Sequence, residues 1–183
     1  MKNTRVARRY ARALMMTADS PEAIDTIAGD LELIENALET SRELRLFVAR
    51  PIVPIDKKKR VFQELFGSRV STITLSFIEL LTEKQRENLL REVIVQYHAL
   101  RDERYGIVNV DVAGAIEITP QQQQRLAEQL ERYTRKKVRL RFSIDKALQG
   151  GLRVKIGDTV LDATIKHQLE LLREKLAHGQ LSN

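Results

Sequence analysis

The chain has 183 residues, a formal net charge of +6 and no cysteine, which excludes disulfides, thiol catalysis and thiolate-bound metal. Hydrophobic residues make up 43% of it but aromatics only 5%, so a core must be built from Leu, Ile, Val and Ala. No apolar run approaches the roughly 18–20 residues that span a bilayer.

The N-terminal stretch carries Arg5, Arg8, Arg9 and Arg12 ahead of a short apolar piece, Ala13 to Ala18. That piece is short for a signal-peptide core. An organelle presequence would also be Arg-rich and acid-free. The helical spacing of Val6, Tyr10, Ala13 and Leu14 favours a first helix of the folded chain, with Thr4 as its N-cap. Ser20-Pro21-Glu22 predicts a second helix with Pro at its first position. Ile24, Ile27, Ala28, Leu31, Ile34 and Leu38 form its stripe. A short third helix follows Ser41, with Leu44, Phe47 and Val48, and Pro51 and Pro54 break it.

A fourth helix is expected from Ile55 to Phe66, with Val61, Phe62, Leu65 and Phe66 inward and Gly67 at its end. Ser71 caps a fifth, from Thr72 to about Leu81, that is apolar around much of its circumference. A sixth is expected from Glu83 to Arg104, with the stripe Leu89, Leu90, Val93, Ile94, Tyr97 and Leu100. Short connections between helices of this length imply a compact bundle.

After Gly106 the period changes from 3.6 to two. Val108, Val110 and Val112 mark a strand. Thr119-Pro120-Gln121-Gln122 reads as a capping box opening a helix with Leu126, Ala127, Leu130 and Tyr133. Val138, Leu140, Phe142 and Ile144 mark a second strand. Leu152, Val154 and Ile156 then alternate with Arg153 and Lys155. Gly157-Asp158 supplies a two-residue turn, with Gly where a type II′ turn needs positive φ. Val160 begins the return strand. A last helix carries Ile165, Leu169, Leu172 and Leu176. The order β-α-β-β-β-α is that of a small α+β domain.

The residues offer little chemistry. His98, His167 and His178 are scattered, with no acid or hydroxyl at suggestive spacing, and read as ordinary surface histidines. Asp158 and Asp162 could serve acid–base work or a metal. A turn residue and a helix cap are the preferred readings. Gly150-Gly151 and Gly157 do not match a phosphate loop or a dinucleotide fingerprint. Lys57-Lys58-Lys59-Arg60 reads as a solvated helix face rather than a localisation signal or phosphate grip. Arg135, Lys136, Lys137, Arg139 and Arg141 form the strongest basic patch, but a base-binding sheet would want aromatics there. The better lead is the apolar fifth helix. Beside a first helix rich in Ala7, Ala11 and Ala13, it could frame a groove for a partner's amphipathic helix.

Three segments together carry a family resemblance. Arg9-Tyr10-Ala11-Arg12-Ala13-Leu14 resembles the opening motif of the δ subunits of F-type ATP synthases, whose mitochondrial relative is the oligomycin-sensitivity-conferring protein. The segment Phe77 to Arg86, followed by Leu89 and Tyr97, is similar to the family's next helical motif. Lys136-Lys137-Val138, Ile144-Asp145 and Gly150-Gly151 through Gly157-Asp158 to Asp162 are similar to its C-terminal signature. The sequence departs from the commonest form at Gln149, where an aliphatic residue is frequent, and at Ala163-Thr164, where Gly-Ser is usual.

The resemblance implies an α+β protein with an N-terminal all-α six-helix bundle, residues 1–105, and a small α+β domain, residues 106–183. It implies a peripheral-stalk stator subunit, not an enzyme, with no catalytic residue, metal or cofactor. The N-terminal domain would bind N-terminal helices of α subunits in a groove lined by Tyr10, Ala13, Leu14, Phe77, Ile78, Leu80 and Leu81. The C-terminal domain would bind the peripheral-stalk b subunits. One copy per complex would sit at the cytoplasmic face of the bacterial plasma membrane, held there by its partners. The alternatives are a basic RNA-binding adaptor and, third, an enzyme.

Overall fold

A computed structural model describes residues 2–50, 52–148, 150–157 and 159–177. The chain divides into two compact units, Met1–Arg101 and Asp102–Asn183, and combines α-helices with a four-stranded sheet.

The first unit is helical. Helix α1 (Lys2–Met16) buries Ala7, Ala11, Leu14 and Met15. It begins at Lys2, so Thr4 lies inside the helix rather than at its cap. Helix α2 (Pro21–Thr40) starts where Ser20 accepts a hydrogen bond from the Ala23 amide, and it buries the whole expected stripe. Ser41 likewise caps α3 (Arg42–Ala49), which buries Leu44 and Val48.

Helix α4 (Ile55–Phe66) departs from expectation in one respect. Its buried stripe is Lys58, Phe62 and Phe66, while Leu65 is exposed. The spacing i, i+4, i+8 places these three on one face. Lys58 is 2% exposed and pairs with Glu87. The basic run is therefore not a uniformly solvated face: its second lysine points into the core.

Helix α5 (Thr72–Glu83) is capped by Ser71 and by Asp30 of α2. The Asp30 carboxylate accepts from the Ser71 amide and from the Thr74 hydroxyl, each at 2.8 Å, through the same oxygen. The expected single helix from Glu83 to Arg104 is broken. Lys84, Gln85 and Arg86 turn the chain: the Arg86 amide reaches back to the Leu81 carbonyl at 2.7 Å, and Gln85 has φ of 53°. This is a Schellman-type stop with glutamine in the left-handed region where glycine is usual. A single 3₁₀ turn (Glu87–Leu89) follows, and only then α6 (Leu90–Arg104). All six apolar stripe residues from Leu89 to Leu100 are nevertheless buried. The Tyr97 hydroxyl donates to the Ile24 carbonyl at 3.1 Å, tying α6 to α2.

The second unit runs β1 (Ile107–Gly114), α7 (Pro120–Thr134), β2 (Lys137–Ile144), β3 (Gly151–Ile156), β4 (Thr159–Thr164) and α8 (Ile165–Ala177). The sheet order is β2-β1-β3-β4, with β1/β2 parallel and the other pairs antiparallel. The helical crossover through α7 is what permits the parallel pair. Helix α7 opens with the expected capping box of Thr119 and Gln122. Val110, Val112, Val154 and Leu130 form the core, with Leu126, Val138, Leu140 and Phe142 packed against them. Tyr133 is exposed instead of inward.

In the hairpin, Ile156 pairs with Thr159, so the return strand starts one residue earlier than expected. Gly157 has φ of 57°, as its turn position requires; Asp158 lies outside the described residues. A Cβ on Gly151 (φ 82°) would stand 2.3 Å from the Ala163 carbonyl oxygen, so β3 and β4 approach here only because the residue is glycine. Asp162 is a strand residue, not the helix cap. It accepts from the Thr164 amide and hydroxyl, and Thr164 in turn caps α8 by accepting from the His167 amide. These bonds, with Arg153 beside them, hold the Asp162 carboxyl below the usual aspartate range.

Candidate protein-binding groove

The first and fifth helices do frame a groove. Ala7 and Ala11 are fully buried on α1, which lets the helix backbone lie close to its neighbours. One turn along, the larger side chains leave a concavity of 480 Å³ lined by residues of α1, of the turn after it and of α5. Tyr10 and Phe77 meet across it edge to face, ring centroids 6.4 Å apart, a favoured aromatic geometry.

Of the seven residues expected at this groove, Tyr10, Ala13, Leu14, Phe77 and Leu80 line it. Ile78 and Leu81 do not: both are fully buried on the opposite side of α5. The residues missed are Thr17, Thr72, Ile73 and Ser76. Helical spacing holds the missing signal. Thr72, Ile73, Ser76, Phe77 and Leu80 share one face of a 3.6-residue helix, while Ile78 and Leu81 share another. Ile73 and Leu80, on the same face of α5, remain 40% and 41% exposed, so with Tyr10 and Phe77 they leave apolar surface open to a partner.

No titratable side chain lines the groove apart from the Tyr10 phenol, and the lining is carbon-rich, its other hydroxyl-bearing residues being Thr17, Thr72 and Ser76. Such a surface suits the apolar face of a helix and offers nothing for acid–base or nucleophilic chemistry. Elsewhere, no group of three or more potential ligand side chains is assembled for a metal among the described residues. No described helix is long and apolar enough to cross a membrane. Of the histidines, His98 lies within α6 and His167 in the first turn of α8, while His178 lies outside the described residues.

Residues 6–176 match the family model described as ATP synthase delta (OSCP) subunit. The chain belongs to the ATP synthase delta (OSCP) subunit family. It is 44% identical over 176 residues to an ATP synthase subunit delta of Chlorobium phaeobacteroides, covering 96% of this chain and 98% of that relative. It is 42% identical to that of Chloroherpeton thalassium, covering 97% of each. Among solved structures it resembles a chain of the Toxoplasma gondii mitochondrial ATP synthase hexamer, with TM-score 0.72, 25% identity and coverage of 93% and 97%.

The chain is thus a structural, non-catalytic component of the peripheral stalk of an F-type ATP synthase, and the RNA-binding alternative is set aside. Its work is mechanical. A rotor turning inside the catalytic head exerts torque on that head. The stator resists it, so that ion flow is coupled to ATP synthesis instead of spinning the whole assembly.

Proposed function

We propose that the groove between α1 and α5 is the attachment point of this subunit on the catalytic head, and that its occupant is the N-terminal helix of an α subunit. The observation that carries this reading is the open apolar concavity of 480 Å³ with two large aliphatic side chains, Ile73 and Leu80, exposed beside the Tyr10–Phe77 pair. A tether under torque needs slow dissociation, and apolar anchors desolvated at the centre of an interface supply it. In this reading the helices of residues 1–105 act together as a six-helix bundle that caps the head. Residues 106–183 bind the b subunits of the stalk. The exposed Ile165 and Leu169, four residues apart on α8, and Leu161 on β4 support that assignment, since exposed apolar side chains of this kind suit a covering partner. One copy serves each complex, held by its partners at the cytoplasmic face of the bacterial membrane.

The test is a binding titration of the full chain with a peptide from the α subunit's N-terminus. Saturable binding is expected, and Leu80→Asp should weaken it at least tenfold without loss of helicity. Absence of binding at high peptide concentration, with the fold intact, would rule the groove out.

A further inference from the structure

The groove is electrically lopsided. Its α1 wall belongs to a helix with no Asp or Glu and with Lys2, Arg5, Arg8, Arg9 and Arg12. Ala13 borders both the groove and the next face of α1, which carries Arg5, Arg9, Arg12 and Met16. These four lie at i, i+4, i+7 and i+11, one continuous stripe along the rim. All four are exposed, and Arg5, Arg9 and Arg12 make no ion pair among the described residues.

The α5 wall is different. Beyond its groove face it carries Glu79 and Glu83. Glu83 is already engaged, accepting from Lys59 at 2.5 Å, and that bond lowers the Glu83 carboxyl and raises the Lys59 ammonium from their usual values. Glu79 borders the surface formed by Lys59, Arg60, Gln63 and Glu64 of α4. Charge on that side is balanced locally, while the α1 rim keeps uncompensated positive charge.

From this asymmetry we infer that the groove selects an amphipathic helix bearing carboxylates along the flank that lies over α1. The inference rests on the reading of the groove as a helix-binding site and adds its specificity determinant: Arg5, Arg9 and Arg12. Nucleic acid is disfavoured as the occupant because the groove floor is aliphatic and carries a single aromatic pair already packed edge to face. A long arginine reaches over a neighbouring helix flank from the rim without entering the apolar floor. Rim charges of this kind chiefly govern association rate and salt dependence, while the buried anchors govern dissociation.

The test uses the full chain and three synthetic helical peptides with one common apolar face. Their flanking residues are Glu, Gln or Lys at the same positions. By stopped flow at low salt, the Glu peptide should associate about tenfold faster than the Gln peptide, within the range of electrostatic steering. The Lys peptide should be slower than both. In about 1 M salt, where the screening length falls to about 3 Å, the three rates should converge. The triple variant Arg5→Gln/Arg9→Gln/Arg12→Gln should abolish the Glu–Gln difference, and a difference that persists in the folded triple variant would overturn the assignment to these arginines. Equal rates for Glu and Gln peptides on the unaltered chain would overturn the charge selection yet leave the groove reading standing. Binding of none of the three, with helicity intact, would overturn both. Should the triple variant fail to fold, the peptide series on the unaltered chain decides the matter alone.

Discussion

Replacing Lys58 by Met should be among the most damaging single changes in the first unit. Its side chain is 2% exposed, and the Glu87 side chain that receives it is 8% exposed. The second carboxylate oxygen of Glu87 is buried with no hydrogen-bond partner among the described residues, so Lys58 is its main compensation. Removing one member of a buried pair costs about 3–5 kcal/mol, because an uncompensated charge stays behind. Lys58 also sits in register with Phe62 and Phe66, and Met keeps most of that apolar stem. The loss should therefore be electrostatic. Glu87→Leu alone should cost a similar amount, but Lys58→Met/Glu87→Leu together should be within about 1 kcal/mol of the unaltered protein. Urea denaturation of the full chain followed by helical circular dichroism measures all three. The exposed neighbour pair Lys59–Glu83 is the internal control, and Lys59→Met should change little. A loss below about 1 kcal/mol for Lys58→Met, or two single losses that simply add in the double variant, would refute the reasoning.

Three further outcomes are expected. Gly151→Ala should disrupt the β3–β4 hairpin and destabilise the second unit by more than about 1 kcal/mol, because its Cβ meets backbone at 2.3 Å; Gly157→Ala, whose Cβ meets nothing within 4 Å, should cost only backbone strain. Hydrogen exchange at Val154 and Lys155 amides would report the difference. The lowered Asp162 carboxyl stabilises the fold above the usual aspartate range, near pH 4, and this is lost as pH falls through the lower folded value; Asp162→Asn keeps an acceptor for Thr164 but should flatten the acid limb of a melting-temperature profile. Asp30→Ala should weaken peptide binding at the groove by freeing the start of α5, whereas Asp30→Asn, which retains an oxygen able to accept from Ser71 and Thr74, should restore most of it in the same titration.

Local signals in the sequence carried furthest. Ser20, Ser41, Ser71 and Thr119 cap helices because their hydroxyls act within three residues. The six-residue stripe of α2 and the alternation of β1 were equally plain, since each has one buried face; in β2 the same alternation leaves Val138, Leu140 and Phe142 half-buried and Ile144 exposed at the strand's end. Helix α5 was harder. It is apolar on nearly every side, so periodicity could not say that Ile73 faces the groove while Ile78 and Leu81 face the core; that depends on where α1 and α2 lie. Lys58 was hidden for a related reason. The apolar residues of α4 allow a stripe through Val61 and Leu65 as readily as one through Phe62 and Phe66, and only Glu87, 29 residues away, makes the second stripe hospitable to a lysine. The break at Gln85 carried no glycine or proline, and the apolar spacing ran straight across it.

The claim that this subunit holds the catalytic head through the α1–α5 groove is tested most directly in membranes. ATP synthase stripped of the subunit should hydrolyse ATP without pumping protons. Adding back the unaltered chain should restore ATP-driven proton pumping, and adding Leu80→Asp at the same concentration should not. Equal restoration by both proteins, with the variant folded, would contradict the account.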